Sequence, residues 1–233
     1  MALSKYTRTR LLFRDGKKVR AHRWIMEQHL GRKLLPNEHV HHITDPPYGI
    51  SLDTANRSRK RTALADANDY APIHADDEPY DPAPILSFPR LVVFGANHFA
   101  SRLPESASWI VWDKTAGLES SRAIGFNDNA DAELIWTNLG GPVRVLKHRW
   151  IGMMKATERG EARLHPTQKP VALMRHLIEL FGDDRAVLDP YMGSGSTLRA
   201  AKDLGKQAIG IEVSEAYCEI AAKRLMQSVM VLA

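Results

Sequence analysis

The chain has 233 residues, with Lys+Arg 32 against Asp+Glu 27, 44% hydrophobic and 25% charged residues, the balance of a globular protein rather than a disordered or fibrous one. No run of about 18 apolar residues occurs and the N-terminus lacks the apolar core of a secretory leader, so a cytoplasmic protein is expected. Cys218, the single cysteine, excludes an internal disulfide framework and a zinc site of several thiolates, while a net charge of +5 suits a polyanionic partner without requiring one.

In chain order, the basic segment around Asp15-Gly16 predicts two short strands about a tight turn, because Asp-Gly supplies positive φ. A helix over about Arg23 to Leu30 follows, ended by Gly31. From about 51 to 84 the composition turns polar and proline-rich, which predicts a surface insertion outside the core. Three apolar runs, RLVVFGA, SWIVWDK and AELIWTNL, then read as buried strands. The C-terminal part reads helix (Pro170 to Phe181), strand (Ala186 to Asp189), glycine turn, helix (Ser196 to Leu204), strand (Ala208 to Glu212) and helix (Ser214 to about Gln227). That order is a βαβ unit in an α/β fold with a mostly parallel sheet.

Two loops stand out as chemistry. Asp189-Pro190-Tyr191-Met192-Gly193-Ser194-Gly195-Ser196 joins a strand to a helix through glycines that let backbone approach a ligand, and the next strand ends in Glu212, a carboxylate suited to a ribose diol. A tight turn with a solvated glutamate is the alternative. No Gly-Lys-Ser/Thr follows the glycines, which disfavours a phosphate-binding P-loop. Asp45-Pro46-Pro47-Tyr48 cannot lie inside a helix or central strand, since its prolines remove two donors and fix φ. It presents a carboxylate, free carbonyls and a ring: Asp45 and a carbonyl near Pro46 can accept both hydrogens of an exocyclic amino group while Tyr48 stacks on the base. A polyproline turn with no chemistry is the alternative.

Together these residues resemble the amino-group DNA methyltransferases that use S-adenosylmethionine. Asp45-Pro46-Pro47-Tyr48 is similar to their catalytic motif, Asp189 to Ser196 to their cofactor loop, and His165-Pro166-Thr167-Gln168-Lys169-Pro170 to the segment before the cofactor strand, in the subgroup with the catalytic motif first. GANHF at 95–99 and WIVWDK at 109–114 are similar to strands of compact, phage-like members. The resemblance implies a Rossmann-like fold with helices on both faces of the sheet and S-adenosylmethionine as cofactor. It implies direct methyl transfer to the amino nitrogen of a base flipped out of double-stranded DNA, with adenine N6 favoured by the initial Asp45 and cytosine N4 as the alternative. It makes Thr167 and Lys169 candidate contacts for the methionine carboxylate, and allows a cognate restriction nuclease as partner. Arg57 to Arg61, and Arg144, Lys147, His148 and Arg149, are candidate phosphate contacts or ordinary solvated faces.

The segment before Asp45 departs from that family. Arg20 to Ile43 resembles the first half of an HNH nuclease, with His41 or His42 matching its general base, but no second half follows and no complete metal site is expected. The expected division is a nuclease-like segment, 1–43, and a methyltransferase domain, 44–233. Two readings remain: a nuclease remnant beside an inactive methyltransferase fold, or a joined segment that still supplies the strand before Asp45. The second requires buried histidines to find partners.

Overall fold

The computed structural model describes residues 11–14, 17–20, 33, 41–54, 70–117, 130–151, 154–183 and 185–226. Strands β1 (Leu11–Arg14) and β2 (Lys17–Arg20) pair antiparallel with Arg14 opposite Lys17. That is the pairing expected of a hairpin; its Asp15-Gly16 turn and the helix expected over Arg23 to Leu30 lie outside the described residues.

The centre is a seven-stranded sheet. Its strands are β3 (His41–Thr44), β4 (Leu91–Phe94), β5 (Trp109–Asp113), β6 (Ala132–Thr137), β7 (Arg144–Lys147), β10 (Val187–Asp189) and β11 (Ala208–Gly210), with a two-stranded ribbon of β8 (Trp150–Ile151) and β9 (Met154–Lys155) beside it. The spatial order is β11-β10-β3-β4-β6-β5-β7. Every neighbouring pair is parallel except β4 with β6 and β6 with β5, so β6 alone runs against the rest. The sheet is therefore mostly parallel, and helices α1 (Val171–Glu179), α2 (Ser196–Asp203) and α3 (Glu215–Met226) complete an α/β fold. The βαβ unit read from β10, α2 and β11 is present.

Strand β4 shows why both faces must be covered. Its period-2 alternation sends Val92 and Phe94 into a cluster with Leu173, Leu177 and Ile178 of α1 and Ala200 and Ala201 of α2. Leu91 and Val93 instead join Ile85, Phe88 and Phe99 on the other face. A strand buried on both sides reads as the continuous apolar run that LVVF is.

Strand β3 breaks that pattern. All four of its residues are fully buried, including His41 and His42. His41 stacks on Phe181 at 4.0 Å and its Nε2 pairs with the Asp183 carboxylate, while His42 stacks on Phe88 at 3.4 Å. Burial pushes the His41 imidazole below its ordinary value despite Asp183, so a neutral ring occupies the core. The boundary expected between 43 and 44 cuts through this strand, and the correction is plain: His41 to Ile43 belong to the sheet. His22, His29 and His39 lie outside the described residues, and among those described no group of three or more His, Cys, Asp or Glu could hold a metal ion.

In the excursion at 51–84 the described residues are mostly exposed, with Thr54 and Asp76 buried, and residues 55–69 lie outside the described ones; the segment just beyond contributes Ile85 and Phe88 to the core. None of the described helices is long and apolar enough to cross a membrane.

Candidate active site

Parallel strands deliver their carboxyl ends to one edge of the sheet, where ligands of such folds bind. Thr44 ends β3, and Asp45 follows it. The Tyr48 hydroxyl donates to Asp45 Oδ1 at 2.5 Å, so the tetrapeptide folds back on itself. The turn is tied from outside by Asp76, whose Oδ1 accepts the amides of Tyr48 (3.0 Å) and Gly49 (2.9 Å) and whose Oδ2 accepts that of Leu52 (2.8 Å). Gly95, after β4, sits against the Tyr48 ring: a Cβ there would lie 2.0 Å from Cε1, and its φ is +63°. His98 stacks on the same ring, with centroids 4.9 Å apart and planes within 14°.

The other Asp45 oxygen meets a cation. Lys169 Nζ donates to Asp45 Oδ2 at 2.5 Å and lies 3.4 Å from Glu133 Oε2, and Glu133 Oε1 in turn accepts from Lys114 Nζ at 3.0 Å. Burial raises the Asp45 carboxyl above its ordinary value against the pull of Lys169. For Lys169, burial would lower the ammonium, but Asp45 and Glu133 hold it above its ordinary value. The sequence reading aimed Lys169 at a cofactor carboxylate; the structure joins it to Asp45.

Strand β10, the neighbour of β3, ends in Asp189. Its carboxylate accepts from the Thr44 hydroxyl (3.2 Å), the Tyr191 amide (3.1 Å) and the Thr197 hydroxyl (2.6 Å). No cation stands against it among the described residues, and burial pushes Asp189 up to about 7. The loop continues through Pro190, Tyr191 and Gly193 to Gly195, whose φ of +79° caps α2, and Ser194 and Ser196 are buried. Arg224 of α3 donates to the Ser196 hydroxyl (3.0 Å) and to Glu158 Oε1 (2.8 Å), bracing the loop from behind. Glu212 Oε2 accepts the Gly193 amide (3.0 Å) and its Oε1 the Ser214 amide (2.9 Å); these leave lone pairs on a carboxylate that can take about four hydrogen bonds. Thr167 lies beside His165, hydroxyl oxygen to Nδ1 3.2 Å, and the His165 ring faces Gly193 and packs edge-on to Tyr217 at 4.4 Å. Burial holds His165 down to about 4, a neutral wall to this loop.

The fourteen residues singled out from the sequence thus gather on one edge, in the loops that follow β3, β10 and β11 and in the segment before α1. Asp76, Glu133 and Lys114 were missed. Asp76 sits in a stretch whose composition is that of a surface loop, and Glu133 opens an apolar strand where a charge reads as an exposed end. Of the basic cluster, Arg144 and Lys147 are exposed on edge strand β7, whereas burial lowers the His148 imidazole and leaves it uncharged. Arg57 to Arg61 lie outside the described residues.

Comparison with known proteins adds an independent line. A family of DNA methylases, the N6/N4 methyltransferases, matches residues 104–223. The chain is 35% identical over 101 residues to the Type II methyltransferase M2.LlaDCHI of Lactococcus lactis subsp. cremoris, over 43% of this chain and 32% of that protein. It is 40% identical over 83 residues to M2.DpnII of Streptococcus pneumoniae, over 35% and 31%. It therefore spans about a third of the length of the curated relatives it matches. Among solved structures, the M1.HpyAVI–SAM complex is similar at 25% identity over 87% of this chain and 95% of that one, with a TM-score of 0.47.

Proposed function

The chain belongs to the DNA methylase family of N6/N4 methyltransferases, and from that premise we propose that it transfers a methyl group from S-adenosylmethionine to the exocyclic amino nitrogen of a base in double-stranded DNA, adenine N6 in first place. One observation carries the reading. The family match begins at 104, yet the fold brings Asp45 from outside it to the edge where Asp189 stands, and the Thr44 hydroxyl bridges the two loops.

The residues present fit the cofactor. Gly193 and Gly195, both at positive φ, give the loop its sharp turn, and Gly195 lets it pack closely on Ala221 of α3; Glu212 keeps acceptors for a ribose diol, and Asp189, Pro190, Tyr191, Ser194, Ser196 and Thr167 line or shape the same edge. The cofactor supplies, when bound, a methyl group on a cationic sulfur. Asp45 and a carbonyl of the Pro46-Pro47 turn accept the two amino hydrogens of the flipped base, which orients the nitrogen lone pair, and Tyr48 offers its ring to the base. The proton released on transfer passes to Asp45, whose burial favours the protonated form. Arg144 and Lys147 on the exposed β7 edge are candidate phosphate contacts. The Type II designation of two relatives supports a cognate restriction nuclease as partner in the cytoplasm.

The test is transfer of labelled methyl from S-adenosylmethionine to unmethylated duplex DNA, with Asp45→Ala as control and nucleoside chromatography of the product. Label in N6-methyladenosine, lost in the variant, is expected. Label in N4-methylcytosine overturns the choice of base. No label despite measured cofactor binding overturns the enzyme and leaves a folded relic.

A further inference from the structure

We propose that Glu133 is a positioning residue for Asp45, acting through Lys169 by giving the buried ammonium a second carboxylate to move to when Asp45 takes up the target amino group. The inference deepens the methyl-transfer reading and rests on it.

The observation is an alternating row of charges under the catalytic loop. It runs Asp45, Lys169, Glu133, Lys114, with contacts of 2.5, 3.4 and 3.0 Å, and the four side chains are 16%, 6%, 20% and 17% exposed. Two carboxylates and two ammoniums cancel, which is the condition for burying them together. Burial alone would raise the Glu133 carboxyl, but Lys169 and Lys114 hold it below its ordinary value, so it stays an anion.

The row matters for chemistry because each Asp45 oxygen already accepts one hydrogen bond, Oδ1 from the Tyr48 hydroxyl and Oδ2 from Lys169. Each keeps a lone pair, but an ammonium held on Oδ2 draws off the charge that would make that oxygen a strong acceptor for a target amino group. Lys169 is confined by the rings of Phe94 (5.1 Å) and Tyr48 (5.7 Å) and by the Thr167 carbonyl (3.4 Å), so Glu133 is the anion within reach when it leaves Asp45. Strand β6 makes this geometry. It runs against its neighbours, so Glu133, opposite Trp112 and near the beginning of its strand, reaches the edge to which the parallel strands bring their ends.

The groups facing Asp45 are Lys169 from the segment before α1, Tyr48 from its own loop, Glu133 from β6 and Asp189 from β10. Their signs make the proposal testable without turnover. In protein carrying carbon-13 at the aspartate carboxyls, with Asp45→Asn for assignment, Glu133→Gln is expected to lower the midpoint of the Asp45 titration and Lys169→Met to raise it. Lys114→Met, which removes a cation from the far end, is expected to raise it as well, and this keeps the question open to test if Glu133→Gln does not fold. In the transfer assay Glu133→Gln is expected to lower kcat by at least about 10-fold, toward the roughly 100-fold that a 1 Å misplacement costs. The KM for S-adenosylmethionine stays unchanged, and Glu133→Asp recovers part of the loss. An Asp45 midpoint indifferent to Glu133 and Lys114, an unchanged kcat, or parallel losses of kcat and cofactor affinity each overturn the proposal. A wild-type chain that shows the opposed midpoint shifts but transfers no methyl overturns the function proposed above, while supporting the coupling of Glu133 to Asp45.

Discussion

Asp45 and Asp189 stand at the ends of neighbouring parallel strands, joined through the Thr44 hydroxyl, and the protein holds them in opposite ways. Asp45 is embedded among charges, with Lys169 on one oxygen and the Tyr48 hydroxyl on the other. Among the described residues the donors to Asp189 are all neutral, two hydroxyls and an amide, and burial, with the Asp45 carboxylate nearby, pushes its carboxyl up to about 7. A low-dielectric site can keep a carboxylate ready to accept hydrogen bonds by placing a cation beside it. Without the cation, the same burial turns a carboxyl into a structural group that can be neutral near physiological pH.

The largest effect that sharpens this contrast is on activity. Asp45→Asn is expected to reduce methyl transfer by roughly 100-fold to 10,000-fold with cofactor affinity intact, whereas Asp189→Asn, an isostere of the protonated acid, is expected to cost far less. Comparable losses in a single-turnover assay would erase the distinction.

Stability against pH comes next. Asp189 has its folded value raised from 3.8 to about 7, so between about pH 4 and pH 7 the folded state holds a proton that the unfolded chain has released, and stability falls as pH rises through that window. The loss is on the order of 4 kcal/mol at 1.36 kcal/mol per unit. His165, lowered from 6.5 to about 4, acts with the other sign: the unfolded imidazole takes up a proton below about 6.5, so its contribution is lost as pH falls toward 4. Asp189→Asn is therefore expected to gain on wild type steadily from pH 4 to pH 7 in denaturant melts. A constant offset would show that Asp189 is ionised throughout.

Smaller again is Asp76→Ala, which strips acceptors from the amides of Tyr48, Gly49 and Leu52. These amides are half-buried and water replaces part of what they lose, so the cost is about 1–3 kcal/mol in all, and the expected result is a lower melting temperature with a disproportionate loss of kcat. The least is Gly95→Ala. The left-handed backbone alone costs about 1–2 kcal/mol, and the new methyl collides with the Tyr48 ring. If calorimetry shows neutral stability and transfer is unaffected, the ring is free to move and the fixed platform read here is wrong.

How much of this was legible follows from what was local. The strand, glycine turn and helix from Val187 to Asp203 are encoded by neighbours in sequence, and the bends at Gly193 and Gly195 fall where the glycines announce them. The insertion of antiparallel β6 between β4 and β5 was not legible, because all three read as apolar runs and nothing in a run states its neighbour. Strand β3 was legible only as a question: two aliphatics were too few for a core strand until Phe181, Phe88 and Asp183, all distant in sequence, took up the histidine rings. Lys169 was found by its motif, but its contacts with Asp45 and Glu133 were not, because its row of charges ends on strands whose place in the sheet no spacing reveals.

The pairing of β3 with β10 has a consequence for how the protein comes into being. The Thr44 to Asp189 contact spans 145 residues of chain, and β3 has β4 on its other side. Loop closure over that distance makes the middle of the sheet slow to form, and as the chain leaves the ribosome the basic N-terminal segment and the Asp45 loop emerge long before the strand that completes their edge. Until then His41 and His42 lack one of their flanking strands. The nascent chain thus passes through a period of synthesis in which the Asp45 loop is made while the loop that faces it is not, a stage that leaves a strand edge unpaired.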